Sequence, residues 1–222
     1  MCGRAVGFRE FIDVVVSGDV AEAARLLRGA PNLAVYAAAQ GATRQAASEY
    51  FFPGIAHYLY AGDTALHMAA AVFRRPVAEL LVAHGAECRA KSRRGAEPLH
   101  YAADANRWSP FEQADIIECL IAIGADPAAL DRDGTAPLHR AVRTRSLPAV
   151  KGLLDGGADP RQPNGRGSTP LHLAVHTTGR GGSGSDHARD QQRQIIALLL
   201  ERGAKASEPD RRRIDALLSV VR

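Results

Sequence analysis

The stretch GTAPLHRAV, residues 134–142, decides the fold, because three close variants of it stand elsewhere in the chain. They are GDTALHMAA from Gly62, GAEPLHYAA from Gly95 and GSTPLHLAV from Gly167. A second motif follows each of the four: LLVAHGAE, LIAIGADP, LLDGGADP and LLLERGAK. The Ala of each Gly-Ala pair stands 13 residues before the next motif Leu. The chain therefore contains tandem structural units.

Each unit is predicted to form two short helices. Thr64 and Thr169 can cap the start of a first helix, and Pro98 suits a first helical turn. Gly85 and its equivalents stand where a helix ends in the left-handed conformation. A single unit cannot bury its thin apolar face, so the units are predicted to stack into one continuous core.

These motifs resemble those of the ankyrin family, whose T-P-L-H-x-A signature and 33-residue period they carry from residue 62 to about residue 222. The departures are Ala65, Glu97 and Ala136, which weaken individual helix starts. The resemblance implies an all-α ankyrin-repeat solenoid of paired antiparallel helices with short hairpin-like loops. It implies four recognisable repeats and degenerate N- and C-terminal caps.

We interpret residues 1–222 as a single ankyrin-repeat domain. Successive motif leucines, from Leu66 to the equivalent Leu217 near the end of the chain, are 33, 39, 33 and 46 residues apart. The second and fourth units are therefore longer and carry insertions. The stretch FIDVVVSGDVAEAARLL predicts two short helices joined by Ser17-Gly18-Asp19. The predicted segments are a degenerate N-terminal cap unit (8–30), an aromatic-rich insertion (31–61), repeats 62–94, 95–133 (with an insertion), 134–166 and 167–212 (with a Gly-rich insertion), and a C-terminal cap helix (213–222).

The N-terminal insertion is not a linker. Residues 36–60 hold six of the eleven Tyr and Phe residues of the chain. So many aromatic side chains are costly to leave in water. They form either a packed lid over the first repeat or an exposed edge for binding.

The histidines of the motif suggest a metal site at first sight. His67, His100, His139 and His172 are all the fourth letter of the motif, and the resemblance implies that this His ties loops together by hydrogen bonds. His172 and His176 have the spacing of two ligands on one helix, but Leu173 stands where an H-E-x-x-H site needs Glu. We therefore predict no metal site.

No motif of an enzyme is found. The Gly-rich stretch GRGGSGS, residues 179–185, lacks the Gly-Lys-Ser/Thr of a phosphate-binding loop, and no strand is predicted before it. No Ser or Cys stands in a recognisable nucleophile motif. The sequence predicts a protein without catalytic residues or a cofactor.

The resemblance places partners on the loop tips and on the exposed side of the first helices. The candidate partner-binding residues at these places are Arg74, Arg75, Arg93, Arg94, Arg107, Trp108, Arg143, Arg145 and Arg180. We expect them to bind another protein, with an acidic segment as the matching chemistry. Binding of nucleic acid or another polyanion is the alternative function. Because residues 62–180 hold 15 basic and 13 acidic residues, a solvated surface of mixed charge also stays open.

Composition sets the remaining expectations. Three scattered cysteines do not form a disulfide framework, which favours a reducing compartment. The first residues lack the apolar core of a signal peptide, and no stretch is long and apolar enough to span a membrane. We expect a cytoplasmic monomer that does not contact membranes and acts as a scaffold for protein binding.

Overall fold

The computed structural model describes residues 7–104, 109–176 and 186–219. These residues form an all-α solenoid, which confirms the predicted fold class. The helices in the described part are α1 (Phe8–Ser17), α2 (Val20–Gly29), α3 (Ala65–Ala71), α4 (Arg75–Ala83), α5 (Pro98–Ala103), α6 (Pro110–Ala122), α7 (Pro137–Thr144), α8 (Leu147–Asp155), α9 (Pro170–His176), α10 (Asp186–Glu201) and α11 (Glu208–Ser219).

Helices pair within each unit and stack between units. The four repeats are α3 with α4, α5 with α6, α7 with α8, and α9 with α10, and α1 with α2 packs on the first of them. The second helices of the two long repeats, α6 and α10, have 13 and 16 residues, whereas α4 and α8 have 9 each. Part of each insertion therefore extends a helix. The last helix begins at Glu208 rather than at residue 213.

The core runs the length of the solenoid as one cluster of buried apolar side chains. The motif leucines Leu66, Leu99, Leu138 and Leu171 are all at most 1% exposed. Small residues such as Ala69 and Ala102 let neighbouring first helices approach closely, and both are fully buried.

A ladder of histidines ties the first three repeats to their successors. His67 Nδ1 accepts from Thr64 N at 3.1 Å, and its Nε2 donates to Ala96 O at 3.1 Å. His100 and His139 repeat this pattern with Thr135 O and Ser168 O. An amide can only donate to Nδ1, so the proton of each neutral ring is on Nε2.

His172 departs from the ladder and corrects the expectation that all four motif histidines share one structural role. Its Nδ1 lies 3.1 Å from Asp210 Oδ1 in α11. Its side chain is 42% exposed, whereas His67 and His100 are fully buried. The fourth repeat is followed by the cap helix rather than by a further repeat, and only residues 202–207 separate α10 from α11.

The aromatic insertion is an ordered hairpin that packs on the first two repeats. Single 3-10 turns at Pro31–Ala34, Ser48–Tyr50 and Pro53–Ile55 accompany an antiparallel pair of strands, β1 (Phe51–Phe52) and β2 (His57–Tyr58). Phe52 is 3% exposed, and the Arg9 guanidinium lies 4.0 Å from its ring centre. Tyr36 is 41% exposed although its ring packs against Phe8. The insertion is thus mostly a packed lid, and its inner edge, which includes Tyr58 and Tyr60, lines a cleft.

The hairpin loops of neighbouring repeats touch at a pair of glycines. Gly134 has φ +67°, and a Cβ built on it would lie 2.6 Å from the backbone nitrogen of Gly165. Gly167 has φ +78°, yet no atom lies within 4 Å of a Cβ built there. Left-handed backbone alone disfavours both alanine variants by about 1–2 kcal/mol.

We predict that Gly134→Ala lowers the free energy of unfolding by roughly 1–3 kcal/mol more than Gly167→Ala, because only the first also forces two loops apart. Urea unfolding of both variants and wild type measures the difference. Equal losses would show that the loops do not pack as described.

Candidate partner-binding cleft

A cleft of about 410 Å³ opens on the face of the solenoid formed by the first helices and hairpin loops. One wall is the inner edge of the insertion, with Tyr58 and Tyr60. The opposite wall is α7, with Arg140 and Arg143. Tyr101 of α5 lies between the two walls. Three repeats and the insertion thus build one concave site.

The motif itself places the key side chains. Tyr101 and Arg140 stand directly after the motif His in the second and third repeats, and both line the cleft. The residues at this position in the first and fourth repeats, Met68 and Leu173, pack in the core instead. This is the variable letter of the motif, so each repeat can present a different side chain there. The candidate residues predicted from the sequence do not include Tyr101 or Arg140, although their position in the motif is visible in the sequence.

Arg140 holds two carboxylates together at the bottom of the cleft. Its Nη2 donates to Asp131 Oδ2 at 2.8 Å, and Nη1 lies 3.6 Å from Asp104 Oδ2. Burial would raise the pKa of Asp131, but hydrogen bonds from Arg140 and from Thr135 N hold that pKa below its usual value. The side chain of Arg140 is 15% exposed, so this network is a fixed part of the site.

Two further arginines lie nearer the solvent. Arg143 Nη2 is 3.9 Å from Asp104 Oδ2, and its side chain is 44% exposed. Arg94 Nη2 is 3.4 Å from Asp133 Oδ2, and both of these side chains are 69% exposed. Exposed pairs of this kind contribute about 0–1 kcal/mol, so a partner can displace them at little cost.

Titratable groups in the cleft and directly beneath it have displaced pKa values. Burial raises the pKa of Asp63 to about 7, although Tyr101 Oη donates to its Oδ1 at 2.6 Å and Tyr60 N to its Oδ2 at 2.7 Å. Burial lowers the pKa of His57 to about 4. The ring of His57 packs edge-on to Tyr101 at 5.4 Å. Asp63 is fully buried and already accepts these bonds, so it supports the hairpin rather than facing a ligand.

The structure brings together only some of the predicted residues. Arg94 and Arg143 line the cleft, and Arg93 is exposed at the neighbouring loop tip. Arg74 instead donates to Val16 O at 3.4 Å in the N-terminal cap. Arg75 pairs with Glu79 and with Asp115 on the second helices.

Arg145 is placed least favourably for a partner. It ends α7 in the left-handed conformation, with φ 57°, and only 8% of it is exposed. Burial lowers the pKa of its guanidinium. Three other predicted residues, Arg107, Trp108 and Arg180, lie outside the described residues, as does the whole Gly-rich stretch 179–185.

Two further features of the described residues bear on function. None of their helices combines the length and the apolar character needed to cross a bilayer. One group of three potential metal ligands is found among them, at the C-terminal end and far along the chain from the cleft: His172, His176 and Asp210.

Comparison with known protein families gives two matches. A family model described as ankyrin repeats (3 copies) matches residues 108–210, and one described as ankyrin repeat matches residues 61–93. No curated protein matches the chain.

Proposed function

Since the chain belongs to the ankyrin-repeat family, whose members generally act in protein–protein interaction, we propose that it is a non-catalytic module that binds another protein in the cleft between the insertion and α7. In the cell it would serve as an adaptor, an inhibitor or an assembly factor. The observation that carries the proposal is the cleft itself, about 410 Å³ in volume and built by three repeats and the insertion.

The side chains of the cleft favour a protein segment as the ligand. Tyrosine and arginine are the residue types that most often dominate binding energy at protein interfaces, and Tyr58, Tyr60 and Arg143 stand here around one hollow. The Arg140 network gives the hollow a rigid floor, which reduces the entropy lost on binding. The cleft therefore suits a short segment with one apolar or aromatic side chain between polar ones.

Charge supports an acidic side chain in that segment. Arg94 forms an exposed pair with Asp133 at 3.4 Å, and Arg143 forms a long, partly exposed pair with Asp104 at 3.9 Å. A carboxylate of the partner can take the place of either aspartate beside its arginine. In the cleft this carboxylate is less exposed to water than in the unbound partner. Because these arginines already have acidic neighbours, the surface is mixed in charge, which supports protein recognition over the binding of nucleic acid or another polyanion.

We predict that Arg94→Glu with Arg143→Glu abolishes capture of the partner, since each arginine at such a site contributes about 1–2 kcal/mol or more to binding. The measurement is a pull-down from the native lysate after nuclease treatment, with mass spectrometry of the retained proteins. The matched control is Arg28→Glu with Arg213→Glu, which makes the same change of charge at two exposed arginines outside the cleft.

A protein lost with the cleft variant and kept by the control variant identifies the partner and supports the proposal. A partner kept equally by both variants would exclude the cleft. Retention of nucleic acid alone, when nuclease is omitted, would favour the polyanion function. Both variants should melt within a few degrees of wild type, and a large loss of Tm for Arg143→Glu alone would make this residue part of the fold.

A further inference from the structure

His172, His176 and Asp210 come together where the last repeat meets the C-terminal cap. His172 Nδ1 is 3.1 Å from Asp210 Oδ1, and His176 Nε2 is 2.8 Å from the same oxygen. One potential ligand atom from each of the three residues lies within 4.8 Å of the others. The two histidines belong to α9 and the aspartate to α11, so the cluster bridges two elements 34 residues apart in sequence.

The two histidines are arranged as a pair. They are one helical turn apart, which places both side chains on one face of α9. Their rings stack, with centres 4.3 Å apart and planes 26° from parallel. His172 can take this position because, unlike the other motif histidines, it does not donate to a following hairpin loop. The fourth repeat thus frees a histidine that the first three repeats use for stacking.

Asp210 is held in place for these two rings. Its side chain is 4% exposed, and its Oδ2 accepts from Ser207 Oγ at 2.6 Å. Its Oδ1 faces both imidazoles. A hydrogen bond to the second oxygen that fixes a carboxylate is the usual outer support of a metal ligand. Burial of a carboxylate also needs compensation, by a cation or by hydrogen bonds.

We propose that this cluster binds a divalent transition metal ion of the Zn²⁺ class through His172 Nδ1, His176 Nε2 and Asp210 Oδ1. In a tetrahedral zinc site, bonds of about 2.0–2.1 Å set neighbouring ligand atoms roughly 3.3–3.4 Å apart. The two N–O distances of 2.8 and 3.1 Å need to open by only about half an ångström to admit the ion. Two imidazoles select zinc, cobalt or nickel over magnesium and calcium, which prefer oxygen ligands.

The bound ion would tie the cap to the last repeat. α11 packs on α9 and α10, and terminal units of a solenoid have a neighbour on one side only. An ion held by both α9 and α11 stabilises the docked cap over the undocked one by mass action. The exposed side of His172 leaves the fourth coordination position to water. Leu173 stands where an H-E-x-x-H site has its general-base glutamate, so the role we assign to the ion is structural.

Zinc and cobalt binding to the full chain without a polyhistidine tag tests the assignment. After removal of metal with a chelator, calorimetry with Zn²⁺ and visible absorption with Co²⁺ at pH 7 should show one equivalent bound. His176→Ala and Asp210→Asn should each weaken the affinity at least tenfold. The matched control is His84→Ala, because His84 directly follows α4 in the first repeat and does not belong to the cluster.

The same experiment includes a measure of the cap. Zn²⁺ should raise the Tm of wild type by several degrees and slow amide exchange in residues 208–219, and both effects should vanish in Asp210→Asn. His172→Gln, at a side chain 42% exposed, gives a second variant if Asp210→Asn does not fold. Absence of Zn²⁺ binding at micromolar concentration, or equal affinity in the cluster variants and the control, would leave a hydrogen-bonded tie and overturn the proposal. An intense thiolate band with Co²⁺ would assign the ion to cysteine and overturn it as well.

Discussion

Leu99→Asp is expected to unfold the array. Leu99 is fully buried in α5, which packs between α3 and α7. Truncation of a buried leucine costs about 2–5 kcal/mol, and an unpaired buried carboxylate adds several more. The sum reaches the whole stability of a typical domain, about 5–15 kcal/mol. Far-UV circular dichroism at 25 °C should therefore show loss of most helical signal and no cooperative thermal transition.

Leu130→Asp is the matched control, because this substitution makes the same chemical change at a side chain that is 44% exposed. Its effect should stay within about 0.5 kcal/mol. If Leu99→Asp instead melted within a few degrees of wild type, the second repeat would not belong to a continuous core. A variant that kept part of the helical signal would show that the repeats on either side fold without it, as nearest-neighbour coupling in a solenoid allows.

The repeated part of the fold could be predicted because each unit solves the same local problem. Gly85, Gly124, Gly157 and Gly203 were expected at left-handed helix ends, and their φ angles are 89°, 102°, 97° and 90°. The motif leucines were expected in the core for the same reason. Four copies of one pattern make a local preference unambiguous, because an accidental match does not recur in register.

The cleft could not be predicted in the same way. It depends on how residues 57–60 return against α5 and α7, which a single, unrepeated insertion does not reveal. Ion pairs between repeats were equally hidden: Arg75 and Asp115 are 40 residues apart in sequence. The arginines predicted for one surface therefore divide between the cleft, the second helices and the interior.

The His172 cluster shows a further limit. The motif predicts that His172 ties loops together by hydrogen bonds, as the other three motif histidines do. This prediction holds for the repeats that are followed by another repeat. What changes the role is Asp210, which stands 38 residues later in a helix that lacks the T-P-L-H signature. A repeated pattern predicts the structure that the units share. The last unit differs from it because it packs against a cap helix instead of another repeat.

Stability is expected to fall steeply as the pH drops from 6.5 to 4. His67 and His100 are fully buried, and burial lowers the pKa of each to about 4. Burial lowers the pKa of His139 in the same direction. The unfolded chain then binds protons at pH values where the folded chain does not, so the free energy of unfolding rises with pH across this window. Each of the two most buried rings contributes roughly 3 kcal/mol that is present above pH 6.5 and lost towards pH 4.

Asp63 opposes the histidines over nearly the same range. Because burial raises its pKa to about 7, folded Asp63 keeps a proton that unfolded Asp63 releases above pH 3.8. Its contribution is fully present below that pH and disappears as the pH rises through about 7. Burial raises the pKa of Glu97 in the same direction. His57, His67 and His100 all act against these carboxyl groups, so we expect the net slope to keep the sign set by the histidines.

Urea unfolding at half-unit steps between pH 4 and pH 8 measures the slope and separates the two contributions. Asp63→Asn should steepen it, since the opposing contribution of Asp63 is then removed, and should raise stability above pH 7, where wild type buries a charged carboxylate. His100→Gln should flatten it, and the matched His84→Gln, outside the histidine ladder, should leave it unchanged. A stability curve that stays level between pH 6.5 and 4 in wild type and in Asp63→Asn would mean that His67 and His100 accept protons in the folded chain. The ladder would then be open to water, contrary to the packing of the repeats.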